Sequence, residues 1–280
     1  MSSRISFFVV CLLLLGIGTT NGQTQDKAKA DDATQEKSDE GKQDKSKKAE
    51  TEEKFEPPKH WIRLAKNREI WADMKKKQVI VGGKICLKEG LLELFACSMD
   101  MKTHESVVSV NARSSEIHAG LLAVGAKPGN PVEFDPKFKA AKGPKVKVII
   151  RWKEKGKWVE RRAQEMIKNS KSKKELDMDF VFGGSKVWVD PDTGQKVYYG
   201  DSGDFICVSN FTSATLDLPV ASSASNDALT WETNSKKIPD LGTKVYVYLK
   251  PEIKKKDDGK SKVDGPKKSA DKDSKKSGDK

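Results

Sequence analysis

The stretch Lys145-Val-Lys-Val-Ile-Ile-Arg-Trp152 sets the fold class of this chain. Apolar and basic residues alternate along it: Val146, Val148, Ile150 and Trp152 against Lys145, Lys147 and Arg151. Since successive side chains of a strand point to opposite faces, the stretch predicts a β-strand with a buried inner face and a basic outer face. Lys155-Gly156 is then expected to turn the chain back into a second strand over 158–162.

Other segments carry the same signal. Lys244 to Leu249 alternates again, with Val245, Val247 and Leu249 expected inward and Tyr246 and Tyr248 outward. Further strands are predicted at 79–81, 84–87, 91–97, 105–110, 180–182, 186–189, 196–199 and 205–208. Gly82-Gly83 should break the chain between the first two of these strands, and Glu89-Gly90 should join the second and third as a hairpin.

One segment has helical spacing instead. Ser114 or Ser115 can cap a helix in which Ile117, Leu121 and Val124 share one face, and Gly125 ends it. We therefore predict a helix over about Ser115 to Val124. A short helix or irregular entry is expected over His60 to Lys75, and a partly helical segment over Met166 to Met178. The whole pattern predicts an α+β region, mainly antiparallel β with one clear helix.

Residues 57–252 are expected to form the globular region, and its halves, 77–164 and 165–252, share three short matches. Val81-Gly-Gly-Lys84 resembles Phe182-Gly-Gly-Ser-Lys186, 106–111 resembles 205–210, and 143–150 resembles 242–249. The offsets are 101, 99 and 99 positions, in one chain order. An internal duplication would explain these matches, but so would the common use of Gly-Gly and alternating Val in strands.

Residues 1–22 have the pattern of a secretory signal peptide. Arg4 precedes an apolar run from Ile5 to Ile17, and Thr20-Asn-Gly22 offers small residues for cleavage after Gly22. The run is too short to cross a hydrocarbon core of about 30 Å as a helix. We therefore expect a secreted or periplasmic protein with no transmembrane segment in its mature chain.

Charge is unevenly distributed along the chain, whose formal net charge is +12. Gln23 to His60 carries a net charge of −2, Ile253 to Lys280 carries +5, and Trp61 to Glu252 carries +8. Residues 23–56 and 253–280 are rich in charge and poor in apolar side chains, so both are expected to be disordered tails. Both tails are expected to act as solvated spacers; the alternative is that the basic C-terminal tail attracts anionic envelope polymers or membrane surfaces. Nucleic acid is not expected, because no nucleic-acid motif accompanies the charge.

Several stretches occur in an order similar to that of a known family. They are Leu92-Glu-Leu-Phe-Ala-Cys97, Lys102-Thr-His-Glu-Ser106, Ile117-His118, Leu121-Leu-Ala-Val-Gly125, Phe180-Val-Phe-Gly-Gly-Ser185, Ile206-Cys-Val-Ser-Asn-Phe211 and Leu216-Asp-Leu-Pro219. The region from Trp61 to Pro251 thus resembles the YdjY domain family of bacterial exported proteins. The resemblance implies an envelope-side protein, and the family has no established activity to carry over.

Cys97, His104, Glu105 and His118 form the sharpest candidate site. Such ligands suit zinc or a similar metal, and a strand and the following helix could bring the two imidazoles together. Their spacing matches no known metal motif, and the alternative is that both histidines are structural. No catalytic constellation and no cofactor-binding motif is found, so no cofactor is expected apart from this metal ion.

Three cysteines remain after the signal peptide: Cys86, Cys97 and Cys207. The predicted hairpin register places Cys86 opposite Glu93, which disfavours a Cys86–Cys97 bridge. A Cys97–Cys207 bridge and three small buried thiols both stay open. Without a Cys-x-x-Cys pair, these cysteines do not suit a four-cysteine iron–sulfur cluster. Asp190-Pro-Asp-Thr-Gly194 faintly resembles a calcium loop, but its Pro and Gly favour a hairpin turn.

These observations favour a non-catalytic binding or structural domain on the envelope side of the cell. Its expected partner is an anionic envelope polymer or another envelope protein. The alternative is a metal- or redox-dependent protein that uses Cys97, His104, Glu105 and His118. The sequence does not indicate the oligomeric state.

Overall fold

The structure is a computed structural model that describes residues 55–223 and 228–253. The predicted signal peptide, the predicted N-terminal tail up to Lys54 and the predicted C-terminal tail beyond Ile253 lie outside these residues. The tail predicted over 23–56 overlaps the described part at Phe55, whose ring stacks on Tyr246 at a centroid distance of 3.9 Å. The packed region therefore includes Phe55.

The described chain is mostly β, as predicted, with one α-helix. The strands are β1 (Ile62–Arg63), β2 (Ile70–Asp73), β3 (Gln78–Ile85), β4 (Leu91–Leu92), β5 (Leu94–Ser98), β6 (Ser106–Val110), β7 (Lys145–Glu154), β8 (Lys157–Arg162), β9 (Ile167–Asn169), β10 (Phe180–Phe182), β11 (Val187–Val189), β12 (Lys196–Tyr198), β13 (Asp204–Cys207), β14 (Leu216–Asp217), β15 (Trp231–Thr233) and β16 (Lys244–Pro251). The helix is α1 (Ser114–Ala123), and short 3-10 helices lie at Thr103–Glu105, Ala163–Met166, Tyr199–Ser202 and Ser235–Lys237.

Eight of these strands close into a barrel, which the sequence analysis did not anticipate. Their order is β3-β16-β7-β10-β14-β13-β5-β6, and pairing of β6 with β3 completes the circle. Most neighbours are antiparallel, but β5–β6 and β13–β14 are parallel. Outside the barrel, β2 and β1 extend from β3, and β8 pairs with β7. Closure leaves the barrel strands without open edges.

The two longest patterned stretches supply much of the barrel core. The inward side chains are buried, as the alternation predicts: Val146, Val148, Ile150 and Trp152 on β7, and Val245, Val247 and Leu249 on β16. Fully buried rings are added by β10, the neighbour of β7, and by β5 and β13: Phe180, Phe182, Phe95 and Phe205. The strand predictions for 146–152, 158–162, 180–182, 205–208 and 244–249 are confirmed.

Gly82-Gly83 does not interrupt the strand, contrary to the sequence prediction. β3 runs through both glycines because two neighbouring segments approach it closely at this point. A Cβ on Gly82 would lie 2.5 Å from Glu69 Oε2, and a Cβ on Gly83 would clash with the carbonyl oxygen of Ser109. Here β3 changes partner from β2 to β6, so the glycines provide space for the barrel to close.

Three other sequence predictions are wrong in detail. The expected hairpin about Glu89-Gly90 is absent, because β3 and β5 both pair with β6, and β4 pairs with β15. The segment from His60 to Lys75, expected as a short helix or an irregular entry, contains no helix: the short strands β1 and β2 are joined by irregular chain. Met166 to Met178 contains the end of a 3-10 helix and β9, with no α-helix. In each case strand pairing overrides the local pattern: β4 and β9 both pair with the distant β15, whereas β1 and β2 pair with the strands that follow them in sequence.

The predicted helix is confirmed as α1. Its N-terminus is fixed by Asp201, whose carboxylate accepts bonds from Ser115 N at 2.8 Å and Ser115 Oγ at 2.7 Å. Ile117 and Leu121 are buried, and Gly120 allows close contact with Leu64 and Val79. Gly125, at a φ of +98°, ends the helix as predicted.

The strand order is symmetric under exchange of the two halves. Exchanging β3 with β10, β5 with β13, β6 with β14 and β7 with β16 reproduces the same circle in reverse. This is the order that a duplicated chain would produce, so it supports internal duplication, one of the two explanations left open for the sequence matches. It differs from the sequence matches at one point, because residues 205–210 correspond to β5 in the circle and not to β6.

Asp217, on β14, is a buried carboxyl group that should make stability depend on pH. Burial raises its pKa from 3.8 to about 8, although its Oδ1 accepts bonds from Leu218 N and Asn210 Nδ2. Above pH 3.8 the unfolded chain releases this proton while the folded chain retains it. This contribution to stability is therefore complete below pH 3.8 and falls as pH rises toward about 8.

We predict that Asp217→Asn will remove this loss. Relative to the variant, the unmodified chain should lose about 1.4 kcal/mol of unfolding free energy per pH unit between roughly pH 5 and 8. Urea unfolding at a series of pH values measures the difference. The exposed Asp192→Asn is the matched control and should keep the original pH profile. Parallel profiles for Asp217→Asn and the unmodified chain would contradict the account.

Gly83→Ala is predicted to destabilise the barrel by about 1–3 kcal/mol, because the added methyl group meets the backbone of β6. Gly156→Asn is the control. Gly156 has a φ of +77°, and a Cβ added there would meet no atom within 4 Å, so asparagine should be tolerated. Chemical unfolding of both variants tests the claim, and equal stability of the two would contradict it.

Candidate functional site: a basic aromatic face on the barrel

The outer side of the β7–β16 pair carries basic and aromatic side chains next to each other. Both strands alternate, so inward apolar residues force Lys147, Arg151, Tyr246, Tyr248 and Lys250 outward. The antiparallel register sets Tyr246 opposite Arg151 and Lys250 opposite Lys147. β8 continues the same face beside β7, with Trp158 opposite Lys153. We call this surface the basic aromatic face.

Six aromatic rings pack together on and beside this face: Phe55, Trp61, Trp71, Trp158, Tyr246 and Tyr248. Tyr246 is buried because Phe55 stacks on it, with the Trp158 centroid 6.1 Å away. Trp158 is 43% exposed, and Phe55, Trp61 and Tyr248 are half-buried. The cluster is therefore a packed aromatic layer with part of its surface open to a ligand.

Arg151 is held between two of these rings. Its guanidinium carbon lies 5.3 Å from the ring centroid of Trp158 and 5.3 Å from that of Tyr248. Glu160, opposite it on β8, adds an ion pair with a 3.6 Å separation from Arg151 Nε. These contacts restrict the side chain, which stays about one-third exposed. A restrained and accessible guanidinium is suited to binding a carboxylate or phosphate group.

A shallow cleft lies further along the same strands. Its volume is about 180 Å³, and it is lined by Lys145, Lys147, Arg162, Asp179, Lys250 and Glu252. Asp179 lies near two of the cations, 3.8 Å from Lys145 Nζ and 3.5 Å from Arg162 Nη2. Within the part of the chain that the structure describes, Lys147 and Lys250 have no ion-pair partner. These two residues lie opposite each other across the β7–β16 pair, so their positive charges repel each other and favour an anion between them.

The predicted metal ligands do not assemble into a site in the described residues. His104 and Glu105 lie in the Thr103–Glu105 turn, with His104 Nε2 3.6 Å from Glu105 Oε2 and the His104 side chain 78% exposed. Glu105 also approaches Lys102 Nζ at 3.7 Å. Throughout 55–223 and 228–253, no group of three His, Cys, Asp or Glu side chains could hold a metal ion.

His118 occupies a different environment on α1. Its Nδ1 lies 3.0 Å from the Tyr198 hydroxyl, and its ring packs edge-on against Phe182 with centroids 4.9 Å apart. Burial lowers the pKa of His118, so the neutral form is favoured. The Tyr198 hydroxyl continues the contact to Thr215 Oγ1 at 3.0 Å. Through these contacts His118 holds Tyr198, at the end of β12, against α1 and Thr215, which is a structural role.

All three described cysteines are free thiols. Cys97 and Cys207 are buried in one small cluster with Leu94 and Ala214, in agreement with the apolar interpretation. The register argument that separated Cys86 from Cys97 is wrong, because the predicted hairpin does not form. Cys86 Sγ instead donates a hydrogen bond to the carbonyl oxygen of Ser106 at 3.0 Å, and interaction with the nearby Cys97 thiol raises the pKa of Cys86 and lowers the pKa of Cys97.

The weak calcium-loop pattern at Asp190 forms a turn, as favoured from the sequence. Asp190 Oδ1 accepts bonds from Asp192 N at 3.0 Å and Thr193 N at 2.8 Å, which close the β11–β12 hairpin. The Asp190 carboxylate is therefore bound by backbone amides of the turn, which is the arrangement expected of a hairpin turn.

The sequence analysis identified the parts of the basic aromatic face without joining them. It placed Tyr246 and Tyr248 outward on one strand and Lys147 and Arg151 outward on another. It could not see that these strands, nearly a hundred positions apart, are direct neighbours. The available signal was the matched alternation of the two stretches, which share the same pattern and similar length.

None of the helices within residues 55–223 and 228–253 has the length and apolar character needed to cross a bilayer.

Comparison with known proteins gives one match. The model of the YdjY domain family matches residues 70–250, from the start of β2 to the last residue but one of β16, which is more than half of the chain. No curated protein and no solved structure matches the chain. The chain therefore belongs to the YdjY domain family.

Proposed function

We propose that this protein is a non-catalytic binding domain on the envelope side of the cell, and that its basic aromatic face binds an anionic polysaccharide. The observation that carries the proposal is the position of Arg151 between Trp158 and Tyr248, on the same face as Lys147 and Lys250. The signal-peptide pattern of residues 1–22 supports a location outside the cytoplasm.

The charges on the face favour an anionic ligand. Lys147 and Lys250 lie opposite each other across the β7–β16 pair, and Lys145 and Arg162 line the same cleft. Binding an anion here relieves the repulsion between adjacent cations and uses side chains that are already exposed. Such an interaction should weaken as salt increases, because exposed charges are screened.

The exposed rings favour a sugar over a simple charged chain. The indole of Trp158 offers a flat apolar surface beside the guanidinium of Arg151. The faces of pyranose rings carry C–H groups that pack on such surfaces, while an acidic substituent could reach the guanidinium. A polymer of acidic sugars can use both features along the face, from the aromatic cluster to the cleft.

The alternative expected from the sequence, a metal- or redox-dependent protein, has less support. His118 contacts Tyr198, and Cys97 packs in a cluster with Leu94 and Cys207. His104 is in neither group, and its side chain is exposed. No observation in the described part of the chain favours a metal at these residues, so we do not propose one.

We predict that Lys147→Ala combined with Lys250→Ala will weaken binding to polygalacturonate about tenfold or more at low salt, because the double variant removes the pair of adjacent cations. Isothermal titration of the full mature chain measures the dissociation constant, and a salt series should show a shallower dependence for the variant. The matched control is Lys127→Ala with Lys137→Ala, which removes the same charge from the exposed loop after α1. Equal weakening by both variants would show that only net charge matters and would contradict the proposal.

Trp158→Ala is predicted to separate sugar binding from charge binding. Loss of the ring should weaken binding to polygalacturonate several-fold, since aromatic contacts of this kind contribute about 1 kcal/mol. Binding to polyglutamate, which has the charge but no sugar ring, should weaken less, because Tyr248 and Glu160 still hold Arg151. Equal loss of affinity for both polymers, or no loss for either, would remove the argument for a polysaccharide. Unfolding curves control for any loss of stability.

A further inference from the structure

The β11–β12 hairpin stands apart from the barrel as a two-stranded sheet. Its side chains are unusually open for apolar residues: Val187 is 48% exposed, Trp188 40%, Val189 50% and Val197 41%. A hairpin of two strands is only marginally stable when nothing covers it, and an exposed apolar edge favours pairing with another strand. The hairpin is therefore a candidate interaction surface.

The hydrogen bonds of the hairpin show which edge is open. Asp190 N donates to Gln195 O at 2.8 Å, and Tyr199 N donates to Lys186 O at 3.0 Å. The even-numbered residues of β11 thus face β12, so Val187 and Val189 direct their N–H and C=O groups to the outer edge. Among the described residues, no strand pairs with that edge.

The outer edge of β12 is less accessible. Tyr198 lies at its end, and its hydroxyl reaches His118 and Thr215 in the body of the protein, at 3.0 Å each. The chain then continues directly into the Tyr199–Ser202 turn. A strand approaching the end of β12 would therefore meet α1 at His118 and the segment at Thr215, whereas one approaching β11 would not meet these residues.

We propose that β11 of a second copy of this chain pairs antiparallel with β11, about a two-fold axis at Trp188, to form a four-stranded sheet across a homodimer. This register sets Val187 of each copy opposite Val189 of the other, so their free N–H and C=O groups satisfy each other. The same register sets Lys186 opposite Asp190 of the second copy, twice by symmetry.

The charges distinguish this register from its neighbours. An axis at Val187 would set Lys186 opposite Trp188, and an axis at Val189 would set Asp190 opposite Trp188. Only the axis at Trp188 pairs both charges with opposite charges, and cross-strand pairs of opposite charge favour a register. Since each edge is three residues long, the contact is small and the dimer should be weak and reversible.

Trp188→Cys tests the proposed axis directly. A non-hydrogen-bonded antiparallel pair brings its two Cα atoms to about 4.5 Å, which is within disulfide range. Under mild oxidation by oxygen with a copper catalyst, the full-length variant should form a covalent dimer that a reductant reverses. Val197→Cys is the control, because Val197 is about as exposed as Trp188 but lies on β12, away from the proposed axis. It and the unmodified chain should cross-link at least tenfold more slowly on a non-reducing gel.

Sedimentation velocity of chains without an added cysteine provides the second measurement. The natural sequence should shift from monomer toward dimer as its concentration rises, and Lys186→Glu should shift the equilibrium back by placing like charges opposite each other. Equal cross-linking rates for Trp188→Cys and Val197→Cys would overturn the proposal. So would a natural chain that stays monomeric at every concentration, which would leave the edge for a strand of another protein.

Discussion

The antiparallel pairing of β7 with β16 is the contact on which the rest of the structure depends. It runs from Val245 opposite Trp152 to Pro251 opposite Val146. The inward side chains of this pair fill the barrel, and the outward ones form the basic aromatic face. Because side-chain direction alternates strictly along a strand, one pairing sets both the hydrophobic core and the exposed surface. A shift of one residue would bury lysines and expose valines.

The same pairing joins the two halves of the chain. β7 belongs to the first half by sequence, yet its barrel neighbours, β16 and β10, belong to the second, and β16 in turn pairs with β3. Each half therefore places its last barrel strand, β7 or β16, beside a strand of the other half. Neither 77–164 nor 165–252 can close its own sheet, so these segments are halves of one barrel and not separate domains. The family match over 70–250 spans this whole closed unit.

Local patterns predicted the elements well, and long-range pairing explains the errors. Alternation at 145–152 and 244–249 and helical spacing at 117–124 depend only on nearby residues, and these elements are where expected. The prediction that Gly82-Gly83 breaks the strand was wrong because these glycines leave space for Glu69 and for the Ser109 carbonyl, and the sequence near the glycines does not show those contacts. The environments of the candidate metal ligands also depend on distant residues: Cys97 packs with Leu94 and Cys207, whereas His118 contacts Tyr198. Predicting the basic aromatic face would have required knowing that β7 and β16 are paired, and local periodicity does not contain that information.

The central claim is that the outer face of β7, β8 and β16 binds acidic polysaccharide. Amide NMR of the isotope-labelled full chain, titrated with a galacturonate oligosaccharide, tests it most directly. The account predicts that the largest shift changes fall within 145–162 and 244–250, with the indole signal of Trp158 among them. Changes confined to α1 and residues 97–118, or the absence of any saturable change, would contradict it.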